Sequence, residues 1–332
     1  MDVPDQTPYH DLTPDVILDA VESFGLLPTG SLLALNSYEN RVYQVGVEET
    51  EGPFVIAKFY RPGRWSDEAI LEEHSFSLEL AEREIPVVAP LAGRNAATLH
   101  HYAGFRFALF PRRGGHWPEL DDPENRLRLG RFLGRIHAVG AVHPFAHRPR
   151  VDVESYGVEA YRFLLAHDFI PAEMANQYRD LVEEVLDRVR TRFAEAGEVP
   201  YIRLHGDCHP GNILWTDTGA HFVDLDDCRN GPAMQDLWML LSGDRRLQTE
   251  QLSDILEGYE EFHEFDRREL HLIEALRALR LIYYAYWLAK RWQDPAFPQA
   301  FPWFGTPRYW DEQVLTLREQ AERLDAPPLG PL

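Results

Sequence analysis

The segment His205-Gly206-Asp207-Cys208-His209-Pro210-Gly211-Asn212 is followed, one polar turn later, by Phe222-Val223-Asp224, and this run constrains the fold more than any other part of the chain. Ile213-Leu214-Trp215 and His221-Phe222-Val223 are short apolar runs joined by Thr216-Asp217-Thr218-Gly219, which reads as a β-hairpin. Such a hairpin returns Asp224 to a strand end beside the loop that carries Asp207 and Asn212. Asp, Asn and Gly are also ordinary turn residues, so each alone says little. Their weight comes from the combination in its expected context. Phosphoryl transfer asks little covalent work of a protein: a carboxylate to orient the attacking oxygen and oxygen ligands for Mg²⁺. Asp207 fits the first role, Asn212 and Asp224 the second.

Upstream, Thr13-Pro14-Asp15 opens a helix with a hydroxyl cap, a first-turn proline and an acid at the positive end; Ile17, Ala20, Val21 and Phe24 repeat along it and Gly25 closes it. Strands at Leu32 to Leu35 and Val42 to Val47 flank the polar turn Asn36 to Arg41. Its backbone N–H groups and the Ser37 hydroxyl could meet phosphate, although a plain hairpin loop without glycine reads the same way. Phe54 to Tyr60 is a strand whose period of two puts Ile56 and Lys58 on one face. Lysine occurs only at Lys58 and Lys290. In a chain that otherwise uses arginine, a lysine suits phosphate oxygens as a compact point charge. The next segment, Asp67 to Glu82, reads as a helix with Leu71, Ser75 and Leu78 on one stripe. A buried lysine needs a partner; Glu73 is the expected one and Glu72 the alternate.

Val87 to Leu91 and Phe105 to Phe110 read as further strands, the second running into Pro111-Arg112-Arg113-Gly114-Gly115. That connector marks the expected lobe boundary, 1–111 against 112–332. Small-ligand sites favour such junctions, and Phe110 and Arg112, with Ile56, are expected to contact the nucleotide. Beyond it the pattern is helical: Leu129 to Ile136, Tyr156 to Ala166, Glu173 to Ala196, Asp236 to Ser242, Leu252 to His263 and Arg268 to Arg291. The Pro-rich end at Ala326-Pro327-Pro328 reads as a frayed tail.

A formal charge of −21 over 332 residues argues against a nucleic-acid partner, whose phosphates need a basic face, and against an anionic membrane surface. Met1 to Asp5 has no basic region or apolar run, and the apolar run Leu281 to Ala289 is too short to span a bilayer. A cytoplasmic monomer is expected. Cys208 and Cys228 cannot build a disulfide framework. With His205 and His209 they lack the paired spacing of a zinc site. Cys208 reads as a small buried thiol.

With Lys58, the Glu72/Glu73 helix, the Pro111 connector, the Asp207/Asn212 loop and Asp224 in this order, the chain resembles the aminoglycoside-phosphotransferase and choline-kinase-like branch of the protein-kinase fold. Asn36-Ser37-Tyr38-Glu39-Asn40-Arg41-Val42-Tyr43-Gln44, Lys58-Phe59-Tyr60-Arg61-Pro62-Gly63-Arg64-Trp65 and Phe222-Val223-Asp224-Leu225-Asp226-Asp227 are similar to the bacterial stress response kinase A family. The resemblance runs over nearly the whole chain. It implies a bilobal α+β fold, with a small antiparallel sheet and one main helix in the N-lobe and a larger, mostly helical C-lobe. The activity it implies is that of an ATP- and Mg²⁺-dependent serine/threonine protein kinase of envelope and oxidative stress responses. On this resemblance Asp207 is the proton acceptor, Asn212 and Asp224 bind Mg²⁺, Ser37 touches the ATP phosphates, Lys58 anchors them with Glu73 as partner, and Asp236 braces the catalytic loop.

The chain departs from eukaryotic protein kinases. It has no Gly-x-Gly-x-x-Gly loop, His-Gly-Asp replaces His-Arg-Asp, Asp-Leu-Asp replaces Asp-Phe-Gly, and no Ala-Pro-Glu follows. The missing arginine removes the usual receiver of an activation-loop phosphate. Asp226 and Asp227 could each serve as an extra metal ligand or a turn cap. Two other functions use the same residues. A small-molecule kinase would phosphorylate an amino alcohol, aminoglycoside or sugar hydroxyl; a pseudokinase would bind nucleotide as a scaffold, against which the intact key positions speak.

Overall fold

A computed structural model describes residues 8–48, 52–217 and 219–330. Met1 to Asp5, read for a signal, and Thr218 of the hairpin turn lie outside the described residues. The elements follow as α1 (Pro14–Phe24), β1 (Leu27–Ala34), β2 (Arg41–Glu48), β3 (Phe54–Phe59), α2 (Asp67–Glu82), β4 (His100–Tyr102), β5 (Phe105–Pro111), α3 (Pro123–Gly140), α4 (Glu159–Ala166), α5 (Ala175–Ala196), β6 (Ile202–Leu204), β7 (Ile213–Thr216), β8 (Gly219–Phe222), β9 (Arg229–Gly231), α6 (Met234–Leu237), α7 (Arg245–Tyr259), α8 (Ile273–Lys290), α9 (Ala296–Ala300) and α10 (Pro307–Asp325). Two compact units result. The first takes the chain up to Glu119 together with Phe145–Arg148 and Pro210–Cys228, and the second takes Leu120–Pro144, Pro149–His209 and the chain from Arg229 onward.

The first unit is built on an antiparallel sheet of order β1-β2-β3-β5-β4. α1 starts as its sequence requires, with the Thr13 side chain accepting from Val16 N–H, and stops at Gly25 with φ +107°. Its Ile17, Ala20 and Val21 join Val45, Val55, Ala57, Phe59, Phe107 and Leu109 in one core. α2 is capped by Ser66 and carries Asp67 and Glu68 in its first turn. Its buried face differs from the expected stripe: Leu71 is 46% exposed, whereas Ile70, Glu73, Ser77 and Leu80 are buried.

Val87 to Leu91 is not a strand. Pro86 and Pro90 each lack an N–H, and only Val87 bridges, to Phe222. That contact fastens the β7–β8 hairpin, because Val88 N–H donates to the Phe222 carbonyl at 2.9 Å and Phe222 N–H to the Pro86 carbonyl at 2.8 Å. The hairpin's other flank exchanges two bonds between His116 and Trp215, at 3.0 and 2.7 Å.

The second unit is helical apart from the β6–β9 pair. Aromatic and aliphatic residues of α4, α5, α8 and α10, among them Tyr178, Leu186, Leu279 and Trp310, form its main core. The expected helix at 268–291 begins as a 3₁₀ segment, Arg267–Leu272, before α8. The one at 236–242 is the short α6 followed by a 3₁₀ turn, Trp238–Leu240. α3 and α7 meet at backbone distance, since a Cβ on Gly130 would lie 2.0 Å from the Ile255 carbonyl oxygen and one on Gly258 2.0 Å from that of Leu127. The Pro-rich end is held rather than frayed. Arg192 grips the Leu324 and Ala326 carbonyls, Arg245 those of Pro327 and Pro328, and Leu329 is buried. No helix among the described residues is long and apolar enough to cross a membrane.

Candidate active site

A cavity of about 370 Å³ in the first unit is lined by Ser37, Ile56, Lys58, Glu73, Phe110, Asn212 and Asp224. Seven of the nine residues singled out in the sequence therefore share one space. Arg112 does not: its Nε donates to the Gln44 side chain at 2.9 Å, and Arg113 lines the cavity instead. β5 ends at Pro111, so the alternation that would have grouped Arg112 with Phe110 lapses there.

Lys58 is buried, and its Nζ lies 3.3 Å from Glu73, 3.2 Å from Asp224 and 3.1 Å from Asp226. Burial works against the ammonium, but Asp226, Glu73 and Asp224 outweigh it and hold the pKa well above the ordinary lysine value. The lysine is a permanent point charge. Glu73, not Glu72, is its partner, and the second Glu73 oxygen accepts from Arg148 at 2.8 Å. Glu72 instead grips a neighbouring segment, accepting from the N–H groups of Ala146, His147 and Arg148 at 2.7, 2.8 and 3.1 Å. Arg148 completes the frame by donating to the Ala69 and Asp226 carbonyls at 2.8 and 2.6 Å.

Asp226 is neither a turn cap nor an exposed acid. It is buried and paired with Arg64 and Lys58. Burial alone would raise its pKa, yet the two cations bring it down to about 2. Asp227 meets Arg64 at 2.8 Å. Asp224 takes φ +59°, a left-handed conformation that Asp tolerates better than most residues, and its side chain is 56% exposed. Asn212 ends the 3₁₀ turn Pro210–Asn212, and its carbonyl accepts from Val223 N–H at 3.0 Å. That bond closes the hairpin and brings both residues to the cavity. An amide oxygen and an exposed carboxylate are hard donors, so together they could hold Mg²⁺. The Ser37 turn is ordered from within: its hydroxyl donates to the Asn40 carbonyl at 3.2 Å, and Asn40 Oδ1 accepts from Arg61 N–H at 3.0 Å.

Asp207 belongs to the second unit. The loop before it is set by the buried Asp236, which accepts from the N–H groups of His205 and Gly206, both at 2.8 Å, and lies 3.1 Å from His137 Nε2. Burial would raise the Asp236 pKa, but His137 and the loop hold it below its ordinary value. The Asp207 carboxylate lies 2.8 Å from Arg280 Nη1 and 3.6 Å from His209 Nε2. Cys208 is fully buried, and burial keeps its thiol protonated. Arg148 and Arg280 have no local signal beyond an arginine-rich composition, and Arg64 stood out only as part of the motif Lys58 to Trp65, with no role attached.

Residues 31–273 match the model of the phosphotransferase enzyme family. Stress response kinase A of Escherichia coli strain K12 is 48% identical over 97% of this chain and 96% of its own length. Serine/threonine protein kinase RdoA of Salmonella typhimurium is 47% identical over the same shares. Among solved structures, an amicoumacin kinase superposes with a TM-score of 0.68 at 21% identity, covering 92% of this chain and 91% of its own. A microcompartment-associated aminopropanol kinase does so with a TM-score of 0.68 at 18% identity, over 94% and 97%. These two share the bilobal α+β kinase-like fold. A family model spanning most of the chain, and relatives close to half identical along almost all of it, fix the assignment: the chain belongs to the phosphotransferase enzyme family and is a kinase.

Proposed function

We infer that the chain transfers the γ-phosphate of ATP, with Mg²⁺, to a serine or threonine hydroxyl of a protein, in a bacterial response to envelope or oxidative stress. The observation that carries the reading is the lysine held by Glu73 and Asp224 in a cavity that Asn212 also lines. On this reading residues 1–111 serve as the nucleotide lobe and 112–332 as the lobe of the catalytic loop. Lys58 meets the nucleotide phosphates as a fixed charge, Ser37 and its turn meet them from β1–β2, and Ile56 and Phe110 flank the base. Asn212 and Asp224 hold the metal, which when bound offsets the negative charge of the transferring group. Asp207 orients the acceptor hydroxyl: its oxygen bonds to the γ-phosphorus, the bridging P–O bond breaks with its electron pair leaving on ADP, and the proton passes to the Asp207 carboxylate.

A protein acceptor is supported by the names of the relatives at 47 to 48% identity, whereas the small-molecule kinases are similar at 21% or less. A cytoplasmic monomer is part of the proposal. The test is transfer from γ-labelled ATP to generic protein and to a panel of amino alcohols, with wild type, Asp207→Ala and Asp224→Ala. Asp207→Ala should lose transfer by at least about a hundredfold while still binding ATP, and Asp224→Ala should also weaken Mg·ATP binding. Label on a small molecule alone would refute the protein acceptor. Undiminished turnover by Asp207→Ala would refute the catalytic assignment.

A further inference from the structure

Arg280 stands out on α8 because it has no structural task. Arg277, one turn earlier, pairs with Glu274 at 2.8 Å, donates to Gln248 at 2.9 Å and covers the Trp238 ring. Arg291, just beyond the helix, donates to the Trp287 carbonyl at 3.0 Å. Arg280 has one contact of this kind among the described residues, the Asp207 carboxylate at 2.8 Å, and its side chain is 38% exposed. A guanidinium has five N–H donors in a fixed fork. One nitrogen faces Asp207, no other ion pair of Arg280 is found among the described residues, and the side chain is exposed enough for its remaining donors to meet a ligand. Tyr284, one helical turn on and therefore on the same face, is exposed and stacks on Trp287 with the planes 16° apart.

We propose that Arg280 selects the acceptor, favouring a hydroxyl whose neighbouring group is a carboxylate, as in an acidic Ser/Thr segment of a protein, and rejecting acceptors that carry an ammonium beside the hydroxyl. This rests on Asp207 being the group that receives the hydroxyl proton. Any hydroxyl that reaches Asp207 then comes within reach of Arg280. An unpaired carboxylate would attract an amino alcohol, but the Asp207–Arg280 pair presents no net charge, and the open side of the guanidinium repels a cation. A carboxylate can instead form parallel N–H···O bonds with it. The formal charge of −21 pulls the other way, towards cations. That field is screened over about 8 Å at physiological salt, so the contact charge governs the choice of acceptor.

The experiment uses the full chain with Mg·ATP and three serine peptides that differ only in flanking Asp, Ala or Lys residues, together with ethanolamine. Wild type is compared with Arg280→Gln, Arg280→Lys and Arg280→Glu, reading acceptor KM, kcat and the KM for ATP. Wild type should show an acceptor KM for the Asp peptide on the order of tenfold below that for the Ala peptide and lower still against the Lys peptide. Arg280→Gln should level the Asp and Ala values, Arg280→Glu should invert the order, and Arg280→Lys should keep part of the preference, all with the ATP KM unchanged. Equal use of all three peptides by wild type would overturn the selection while leaving the protein-kinase reading intact. So would an equal kcat loss on every peptide in Arg280→Gln, which would mark a residue that merely positions Asp207. Transfer to ethanolamine with none to any peptide would overturn both.

Discussion

Among single residues, Glu269 shows how burial, as the largest of several causes, sets a pH dependence. Its carboxylate is buried and accepts from Met234 N–H at 2.8 Å at the start of α6, and burial pushes its pKa up to about 8. The folded protein therefore keeps a proton that the unfolded chain releases above its ordinary value of 4.5. Stability falls as pH rises from there to about 8, by up to about 1.4 kcal/mol per pH unit, and levels off above. Glu269→Gln keeps an oxygen for Met234 and should abolish that slope, making the variant more stable than wild type at pH 8 when urea midpoints are compared across pH. Asp226 titrates in the opposite sense. Its stabilising pairs are complete above the ordinary Asp range and are lost as pH falls towards about 2. Four residues that touch the cavity were legible in the sequence because each has a local reason: strand alternation for Ile56 and Lys58, loop spacing for Asn212, a strand end for Asp224. Arg148 was not, since it meets Glu73 across 75 residues of sequence and no pattern in its neighbours announces it. Glu73 was the expected partner, with Glu72 the alternate, because two adjacent acids on a helix point about 100° apart and the register of α2 against β3 decides which one meets the lysine.

Elements were legible where capping and period agreed. α1 and α2 have the expected bounds because Thr13 and Ser66 fix their starts, but only α1 buries the face that its period marks, since the stripe expected on α2 turns Leu71 outward. The strand expected at Val87 to Leu91 failed because two prolines remove the donors that a ladder needs. The missed feature is the seam between α3 and α7, where Gly130, Gly134 and Gly258 allow backbone against backbone; a Cβ on Gly134 would lie 2.4 Å from the Tyr259 carbonyl oxygen. Helix propensity favours Ala over Gly by about 1 kcal/mol. A Cβ 2.0 Å from a carbonyl oxygen, however, forces the helices apart and costs about 3 kcal/mol or more. Gly130→Ala should therefore destabilise, with a denaturant midpoint well below wild type, and a higher midpoint would show that the seam can open without loss.

The whole molecule carries a charge of −21, and like charges at such density oppose compaction. Because salt screens this repulsion, raising NaCl from about 20 to about 300 mM should raise the melting temperature by a few degrees; a fall would mean that attractive surface pairs dominate. The α+β architecture was legible from the shift between period-two and helical patterns. The chain's itinerary was not, because contact between distant segments leaves no periodicity. The sheet unit draws on three separate stretches, ending at Cys228. As synthesis proceeds at about 5–20 residues per second, Lys58 and Glu73 leave the ribosome long before Arg148, and Arg148 long before Asp224 and Asp226. The nascent sheet thus has to wait with its buried lysine and glutamate only half matched, and no cut in the gene upstream of the β7–β8 hairpin yields a fragment able to complete the sheet unit.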